Sequence, residues 1–300
     1  MMAVGSVGIV FGYMMVSLCR EYYQFMLAQG VCAGLSSGLL YVPALAFVST
    51  SFPPKTRPIA IGFTTTGAST GGIVFPLIFR NLLPRIGFGW TVRTMAFIQL
   101  GLAIIALSIL ASAPVVRNKP RRLLDWTAFK EVPFLFLFLM FFCHFLSFFI
   151  PIFFIPSFSF AYLSPNPSLG SNLLVLANAG TFVGRLLPAL AAQHIGAMNV
   201  VFITTLIVSV ITFCWIAVTS TAGMIVWCLM WGIFSGTFST IDPVVVTHPL
   251  LCGGEGLTGT RLGMAWVAAG LGVLVGTPIA GALGEKGDGF LTKGHLRREK

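Results

Sequence analysis

PVVRNKPRRLLDWTAFKE, residues 114–131, is a long polar segment between two blocks of almost unbroken apolar sequence. Its bases outnumber its acids, with Arg117, Lys119, Arg121, Arg122 and Lys130 against Asp125 and Glu131. Short loops rich in Lys and Arg stay on the cytoplasmic side of a bilayer. The segment is therefore predicted to be a cytoplasmic connector between two membrane-embedded halves, and it sets the orientation of the spans on either side.

Composition excludes a soluble globular domain. Hydrophobic residues make up 56% of the 300 residues, charged residues only 9%, and the mean hydropathy is +0.93, whereas about a quarter of the residues in a soluble domain are charged. The formal net charge of +10 lies in loops and in a tail. It predicts contacts with anionic membrane lipids and no nucleic-acid partner. The chain is thus expected to be an integral multi-pass membrane protein.

The sequence lacks the signals of enzymatic chemistry. Its six cysteines stand singly in or beside apolar runs, its four histidines are far apart, and neither H-E-x-x-H nor a cofactor fingerprint occurs. The cysteines are predicted to be small buried apolar side chains. We therefore expect no enzyme activity, no metal and no cofactor.

Nine apolar runs are long enough to cross a bilayer, which takes about 20 helical residues. They cover residues 2–19, 24–50, 59–79, 94–113, 132–160, 172–193, 198–219, 223–250 and 262–283. This pattern predicts an N-terminal bundle over 1–113, the connector over 114–131, a C-terminal bundle over 132–284 and a basic tail over 285–300. In the second run, Gly30, Gly34 and Gly38 share a helical face that is predicted to pack closely against another helix.

An internal repeat relates spans on the two sides of the connector. In each copy a glycine and a proline precede an inner loop, an arginine opens the next helix, and further glycines lead to a second proline. The copies are Gly38, Pro43, Arg57 and Pro76, and Gly236, Pro243, Arg261 and Pro278. They lie six spans apart, the repeat length of transporters built from two parallel six-helix halves. The repeat predicts an all-α, two-bundle membrane protein with nine of twelve helices present, the first two and the last being missing.

Several segments resemble one known family. Residues 52–67, FPPKTRPIAIGFTTTG, resemble the signature that leads into the fifth helix of monocarboxylate porters in the major facilitator superfamily. Lys55, Arg57, Ala60, Gly62 and Gly67 match that signature, and residues 82–93, 178–190 and 259–283 are similar to the fungal branch of the family. The resemblance covers roughly residues 3–284 and implies a transporter fold of the major-facilitator type.

Two roles are open for the residues at the inner ends of the helices. Lys55, Arg57 and Arg261, with Gly62 and Gly67 beside them, would form an inner-loop motif whose salt bridges lock one conformation. Anchoring of topology by positive charge accounts for the same residues equally well.

Arg185 is the clearest candidate for solute binding, because a charge in the middle of a span faces protein or water rather than lipid. Asn178 and Thr181 precede it on the same helical face. An always-charged, fork-shaped guanidinium suits a carboxylate anion. The resemblance associates proton coupling with an aspartate one turn before this arginine, and here that residue is Thr181. The alternative is that Arg185 bonds to carbonyls of a neighbouring helix.

Asp242 and His144 are the other polar candidates inside the spans. Asp242 lies within an apolar run, where pairing with Arg185 is one interpretation. The imidazole group of free histidine titrates near neutrality, so proton binding is one interpretation of His144, and the alternative is a packed, hydrogen-bonded histidine. Both are included in the predicted substrate-binding set with Arg185, Asn178 and Thr181.

The expected function is secondary active transport, by alternating access, of a small organic anion of the monocarboxylate type, with protons as a further partner. The alternatives are export of a secondary metabolite or a riboflavin-type solute, and a truncated chain that transports nothing. The plasma membrane is the expected location, with the vacuolar or another internal membrane as the alternative.

Overall fold

The computed structural model describes residues 1–111, 124–164, 166–253 and 257–286. Within these ranges the chain forms helices joined by short turns, and no strand. The helices are α1 (Met2–Val16), α2 (Tyr22–Ser51), α3 and α4 within Arg57–Ala111, α5 (Val132–Leu163), α6 (Pro167–Ile195), α7 (Ala197–Ala217), α8 (Thr221–Val246) and α9 (Thr258–Lys286). A short 3-10 helix, Trp126–Lys130, precedes α5.

In the described part of the chain, seven helices are long and apolar enough to cross a membrane when Arg57–Ala111 is counted as one, and α1 is a shorter apolar helix. Gly87 breaks Arg57–Ala111 with φ 74° and ψ 172°, a conformation that a side chain would strain. The break divides it into α3 (57–86) and α4 (88–111). Among the described residues each of the nine predicted spans thus corresponds to a helix, and the predicted all-α membrane fold is confirmed.

The helix ends differ from the predicted spans. Residues 80–93 were expected to link two spans as a loop, but they are helical apart from the turn at Gly87. The predicted loop before the sixth span is shorter, because α6 already starts at Pro167. Asn166 caps it by accepting the Ser168 N–H at 3.0 Å, and proline is well suited to a first helical turn.

One compact unit consists of residues 1–48 and 74–121. In its described part, α1 packs on α2 through the glycines of α1. A Cβ at Gly5 would come within 2.8 Å of the Ser36 carbonyl, and one at Gly12 within 3.1 Å of the Ala28 carbonyl. The predicted glycine face of α2 is wrong, since a Cβ at Gly30 or Gly38 would meet nothing within 4 Å. The small residues that allow close approach lie on the partner helix instead.

The second unit consists of residues 49–73 and 122–300, and α5 to α9 form most of its described part. The backbones of α6 and α8 nearly touch, because both helices present small residues to each other. A Cβ at Gly180 would lie 2.8 Å from the Leu229 carbonyl, and one at Gly236 would lie 2.8 Å from the Thr181 carbonyl. This contact fixes the position of the polar residues of α6.

Aromatic and aliphatic side chains fill the space around this helix pair. They include Ile155, Phe158, Met224, Trp227, Trp231 and Phe238.

The prediction that the cysteines are buried holds for Cys228, which is buried, and is wrong for Cys143 and Cys214, which are exposed. The predicted domain boundaries stay a prediction, because residues 112–123 of the connector and 287–300 of the tail lie outside the described residues.

Candidate functional site

The predicted polar stripe of α6 lies against the first turns of α3, within the second unit. Thr181 Oγ1 is 2.8 Å from Ser69 Oγ and also donates to the Asn178 carbonyl at 2.8 Å. Arg185 Nη1 donates to the Thr65 carbonyl. The stripe therefore faces a matching stripe on α3, and hydroxyl groups from both helices meet there.

Glycines let the two stripes approach. A Cβ at Gly72 would overlap the side-chain amide of Asn178, and a Cβ at Gly62 would come within 2.8 Å of the Arg185 carbonyl. Gly67 differs, because a Cβ there would meet nothing within 4 Å. Of the two predicted motif glycines, Gly62 is thus needed for contact with α6, whereas Gly67 shows no such steric requirement.

Arg185 is buried, with 8% of the residue exposed. Its contact with the Thr65 carbonyl is the helix-to-carbonyl bond that the sequence left open as an alternative to anion binding. A guanidinium carries five N–H donors, so a bond to a carbonyl does not exclude donation to an anion. The geometry therefore places a charged donor in an interhelical seam, which we define as Gly62, Thr65, Ser69 and Gly72 of α3 facing Asn178, Thr181 and Arg185 of α6.

The structure pairs Asp242 with His144, across α8 and α5. His144 Nδ1 lies 3.1 Å from Asp242 Oδ2, and the two residues are 6% and 0% exposed. His144 Nε2 lies 2.9 Å from Thr205 Oγ1 of α7, and its ring stacks on Phe238 at 4.0 Å between centroids. The predicted packed, hydrogen-bonded histidine is therefore what the structure shows, and three helices contribute to its site.

Sequence reasoning missed the hydroxyl partners Thr65, Ser69 and Thr205. In the structure, Thr65 also lies 3.0 Å from Thr240 Oγ1 of α8. A membrane-span threonine or serine usually bonds a carbonyl of its own helix, so its sequence position gives no sign of a partner on another helix. The i, i+3, i+7, i+10 spacing of Gly62, Thr65, Ser69 and Gly72 is the one signal that could have identified the α3 side of the seam.

A buried ionic cluster lies at the N-terminal end of α9. Arg261 is 1% exposed and donates to Asp125 Oδ2 at 3.0 Å and to both Glu131 carboxylate oxygens at 2.6 Å. It also donates to the Leu251 carbonyl at 3.0 Å. The two acids of the connector are thus the counter-charges of the arginine that opens α9. A role of this cluster in locking one conformation stays a prediction.

Hydrogen bonds keep both acids of this cluster ionised. The Thr127 hydroxyl and then Arg261 lower the pKa of Asp125 below its ordinary value of 3.8, against the opposing effect of burial. The Arg261 guanidinium lowers the pKa of Glu131 below 4.5. The cluster is therefore a bidentate, charge-assisted contact rather than a loose surface pair.

Lys55 lies in the turn before α3, and Arg57 is the first residue of that helix. The Lys55 side chain is exposed, and its backbone carbonyl accepts from Gln193 Nε2 at 2.8 Å. Arg57 Nη2 donates to the Phe52 carbonyl at 3.4 Å. Among the described contacts, the salt bridges of the predicted inner-loop motif are those of Arg261, and both roles stay predictions for Lys55 and Arg57.

Groups of three or more metal-ligating side chains do not occur among the described residues. The candidate site consists of two groups of polar side chains in an apolar helix bundle: the seam at Arg185 and the His144–Asp242 pair.

Solved structures share this fold at low sequence identity. The transporter FucP in its outward conformation matches with a TM-score of 0.69 at 16% identity, over 98% of this chain and 76% of FucP. A variant of the E. coli fucose:proton symporter FucP matches with a TM-score of 0.71 at 15% identity, over 98% of this chain and 78% of the symporter. These likenesses show the fold alone.

Curated fungal proteins are more similar in sequence. The MFS-type transporter dbaD of Emericella nidulans is 35% identical over 94% of this chain and 63% of its own length. The aspyridones efflux protein apdF of the same organism is 35% identical over 95% of this chain and 58% of its own length. The agnestins efflux protein AgnL12 of Paecilomyces divaricatus is 32% identical over 93% of this chain and 63% of its own length. The chain spans about three-fifths of the length of these relatives, which are named transporters and efflux proteins rather than enzymes.

The family model described as Major Facilitator Superfamily matches residues 1–277. The chain therefore belongs to the Major Facilitator Superfamily.

Proposed function

We propose that the chain exports a small organic secondary metabolite across a membrane by alternating access. The observation that carries this proposal is the interhelical seam, whose polar residues inside membrane-length helices are buried at Thr65, Ser69, Thr181 and Arg185 and half-buried at Asn178. Buried polar and charged residues at such positions mark solute pathways in membrane proteins. Two of the similar proteins are named efflux proteins for secondary metabolites, which favours export over uptake.

Arg185 favours a solute with an anionic or strongly hydrogen-bond-accepting group. Its guanidinium donates to the Thr65 carbonyl in this structure. A carboxylate accepts more strongly than a neutral carbonyl, so a bound anion would compete with Thr65 O for the guanidinium. Transport of a monocarboxylate, which the family resemblance implies, is the second candidate, and Arg185 supports it equally well on chemical grounds.

Deletion of the gene in the source organism tests the proposal. Mass spectrometry of cells and medium should find a compound that accumulates inside the deletion strain and is depleted outside. Wild-type sequence restored at the same locus should return the compound to the medium, whereas Arg185→Gln should not. Arg80→Gln, an exposed residue on α3, is the matched control and should behave like the wild type. Unchanged partitioning of every compound on deletion would favour a chain that transports nothing.

A further inference from the structure

The contact between α5 and α8 holds an acid and a histidine that the seam does not involve. His144 and Asp242 are almost fully buried, and Nδ1 and Oδ2 are 3.1 Å apart. The other carboxylate oxygen, Asp242 Oδ1, has no hydrogen-bond partner within the described structure. A bare carboxylate oxygen in an apolar bundle is costly if the group is charged. The pair therefore needs a proton to be stable where it lies.

The hydrogen bonds around Thr205 fix where one of the histidine protons is. The Thr205 hydroxyl has a single hydrogen, which it donates to the Val201 carbonyl at 2.7 Å. Towards His144 Nε2, 2.9 Å away, Thr205 Oγ1 can therefore only accept. It follows that Nε2 carries a hydrogen and that this nitrogen does not exchange protons with Asp242.

A second proton is then required between Nδ1 and Oδ2. Without it, the lone pair of Nδ1 would face a carboxylate oxygen at 3.1 Å, and the two would repel. With it, the pair is electrically neutral, either as imidazolium and carboxylate or as imidazole and carboxylic acid. Stacking of the imidazole ring on Phe238, with 20° between the planes, suits a ring that carries positive charge.

Few other charged or titratable groups lie on the helices packed around the pair. Cys143 is the sequence neighbour of His144 on α5, α7 carries Cys214, and α8 carries Cys228. From α6 come Arg185, which donates to the Thr65 carbonyl, and the exposed His194 near the end of that helix.

On α9 the charged groups lie at the helix ends. Arg261 is bound to its two acids at the N-terminal end, and Glu285 and Lys286 are the last residues of the helix. Between these ends, α9 meets α5 through glycine, with a Cβ at Gly272 coming 3.0 Å from the Leu146 nitrogen. The middle of α9 therefore adds no titratable group to the site.

We propose that His144 and Asp242 form a proton-binding site that couples solute export to proton movement. The site holds one exchangeable proton, shared between Nδ1 and Oδ2. On release this proton passes to water, His144 keeps its Nε2 hydrogen, Asp242 is left as a carboxylate, and the pair changes from neutral to singly negative. Because Nδ1 and the carboxylate then repel, proton release and separation of α5 from α8 occur together. The coupling rests on the proposed function, whereas the proton site does not.

Solid-state NMR of the 300-residue chain in lipid nanodiscs tests the site, with ¹⁵N-histidine and ¹³C-aspartate labels and the proton itself as ligand. His194, His248 and His295 are replaced by glutamine so that His144 gives the histidine signal. We expect a protonated Nε2 at every pH, and a far-downfield proton together with a ¹⁵N–¹³C contact between Nδ1 and the Asp242 carboxyl group. Raising the pH should remove the proton and the contact together.

Two variants keep this test decisive. Asp242→Asn should lose the shared proton and leave Nε2 protonated. Thr205→Val, which keeps the pair but removes the acceptor, should retain the shared proton and shift the Nε2 resonance. An unprotonated Nε2 in the wild type, a shared proton that persists in Asp242→Asn, or a proton lost while the contact remains would each overturn the proposal.

Export measurements separate this inference from the proposed function. If the wild type exports its compound and His144→Gln responds to a collapsed proton gradient as the wild type does, the proposed proton coupling is wrong and the proposed export function is unaffected. If the wild type exports nothing, the proposed function and the coupling both fall, and the NMR result still decides whether the pair binds the proton. His194→Gln, at the exposed end of α6, is the matched control and should leave export unchanged.

Discussion

Arg261 is the residue whose loss should affect stability most directly. It forms salt bridges with Asp125, whose side chain is 5% exposed, and with Glu131, whose side chain is 40% exposed. Arg261→Met should destabilise the fold by about 3 kcal/mol, because removing one partner of a buried pair leaves an uncompensated charge at Asp125. Thermal unfolding in detergent checks this against Lys55→Met, an exposed residue expected to change stability by less than about 0.5 kcal/mol. Equal melting temperatures for the two variants would show that the cluster contributes nothing.

The same cluster should make stability depend on acid. The pKa values of Asp125 and Glu131 lie below their ordinary 3.8 and 4.5 in the folded chain, so the unfolded chain binds protons first as the pH falls. The contribution is complete above these ordinary values and is lost as the pH falls through the lowered ones. The difference in unfolding free energy between wild type and Arg261→Met should therefore be constant near pH 7 and shrink below about pH 4. A constant difference down to pH 3 would contradict the assigned pairing.

At the scale of the helices, the contact of α6 with α8 depends on glycine. A Cβ at Gly184 would overlap the Ile233 backbone, whereas a Cβ at Gly270 of α9 would meet nothing within 4 Å. Gly184→Ala should cost about 1–3 kcal/mol, because backbone must shift to admit the methyl group. Gly270→Ala should be neutral or slightly stabilising, since alanine is the better helix former. Thermal unfolding of both variants in one detergent checks the prediction, and loss of stability in Gly270→Ala alone would contradict the packing.

Sequence could predict the helices but not their pairing. The length of the uncharged apolar runs is enough to locate the spans. The turn at Gly87 between α3 and α4 was not predicted, because the surrounding residues 80–93 are polar enough to indicate a loop. The two acids of the connector, Asp125 and Glu131, can be read from the sequence. Their binding to Arg261 cannot, because the partners are more than a hundred residues apart and meet only in the folded chain. His144 and Asp242 were both chosen as polar residues in spans, while their pairing and the hydroxyl of Thr205 required the tertiary structure.

For the whole molecule, the orientation in the membrane follows from the bases of the connector and of the turn before α3. We predict that the turn at Thr56 is cytoplasmic and that the turn between α7 and α8 at Thr219 is outside; both residues are exposed. In a cysteine-free background, an impermeant maleimide should label Thr219→Cys in intact cells and Thr56→Cys only after permeabilisation. The reverse pattern would invert the topology.

The most direct test of the central claim, that Arg185 contacts the exported solute, is the affinity for the compound found by gene deletion. Loss of one charge-assisted hydrogen bond costs about 1.5–3 kcal/mol, so Arg185→Gln should raise the Kd about tenfold to hundredfold. Arg80→Gln, exposed on α3, should bind like the wild type. Isothermal titration of both variants in nanodiscs gives the answer. A Kd unchanged in Arg185→Gln would contradict the account and leave Arg185 as the residue that ties α6 to the Thr65 carbonyl.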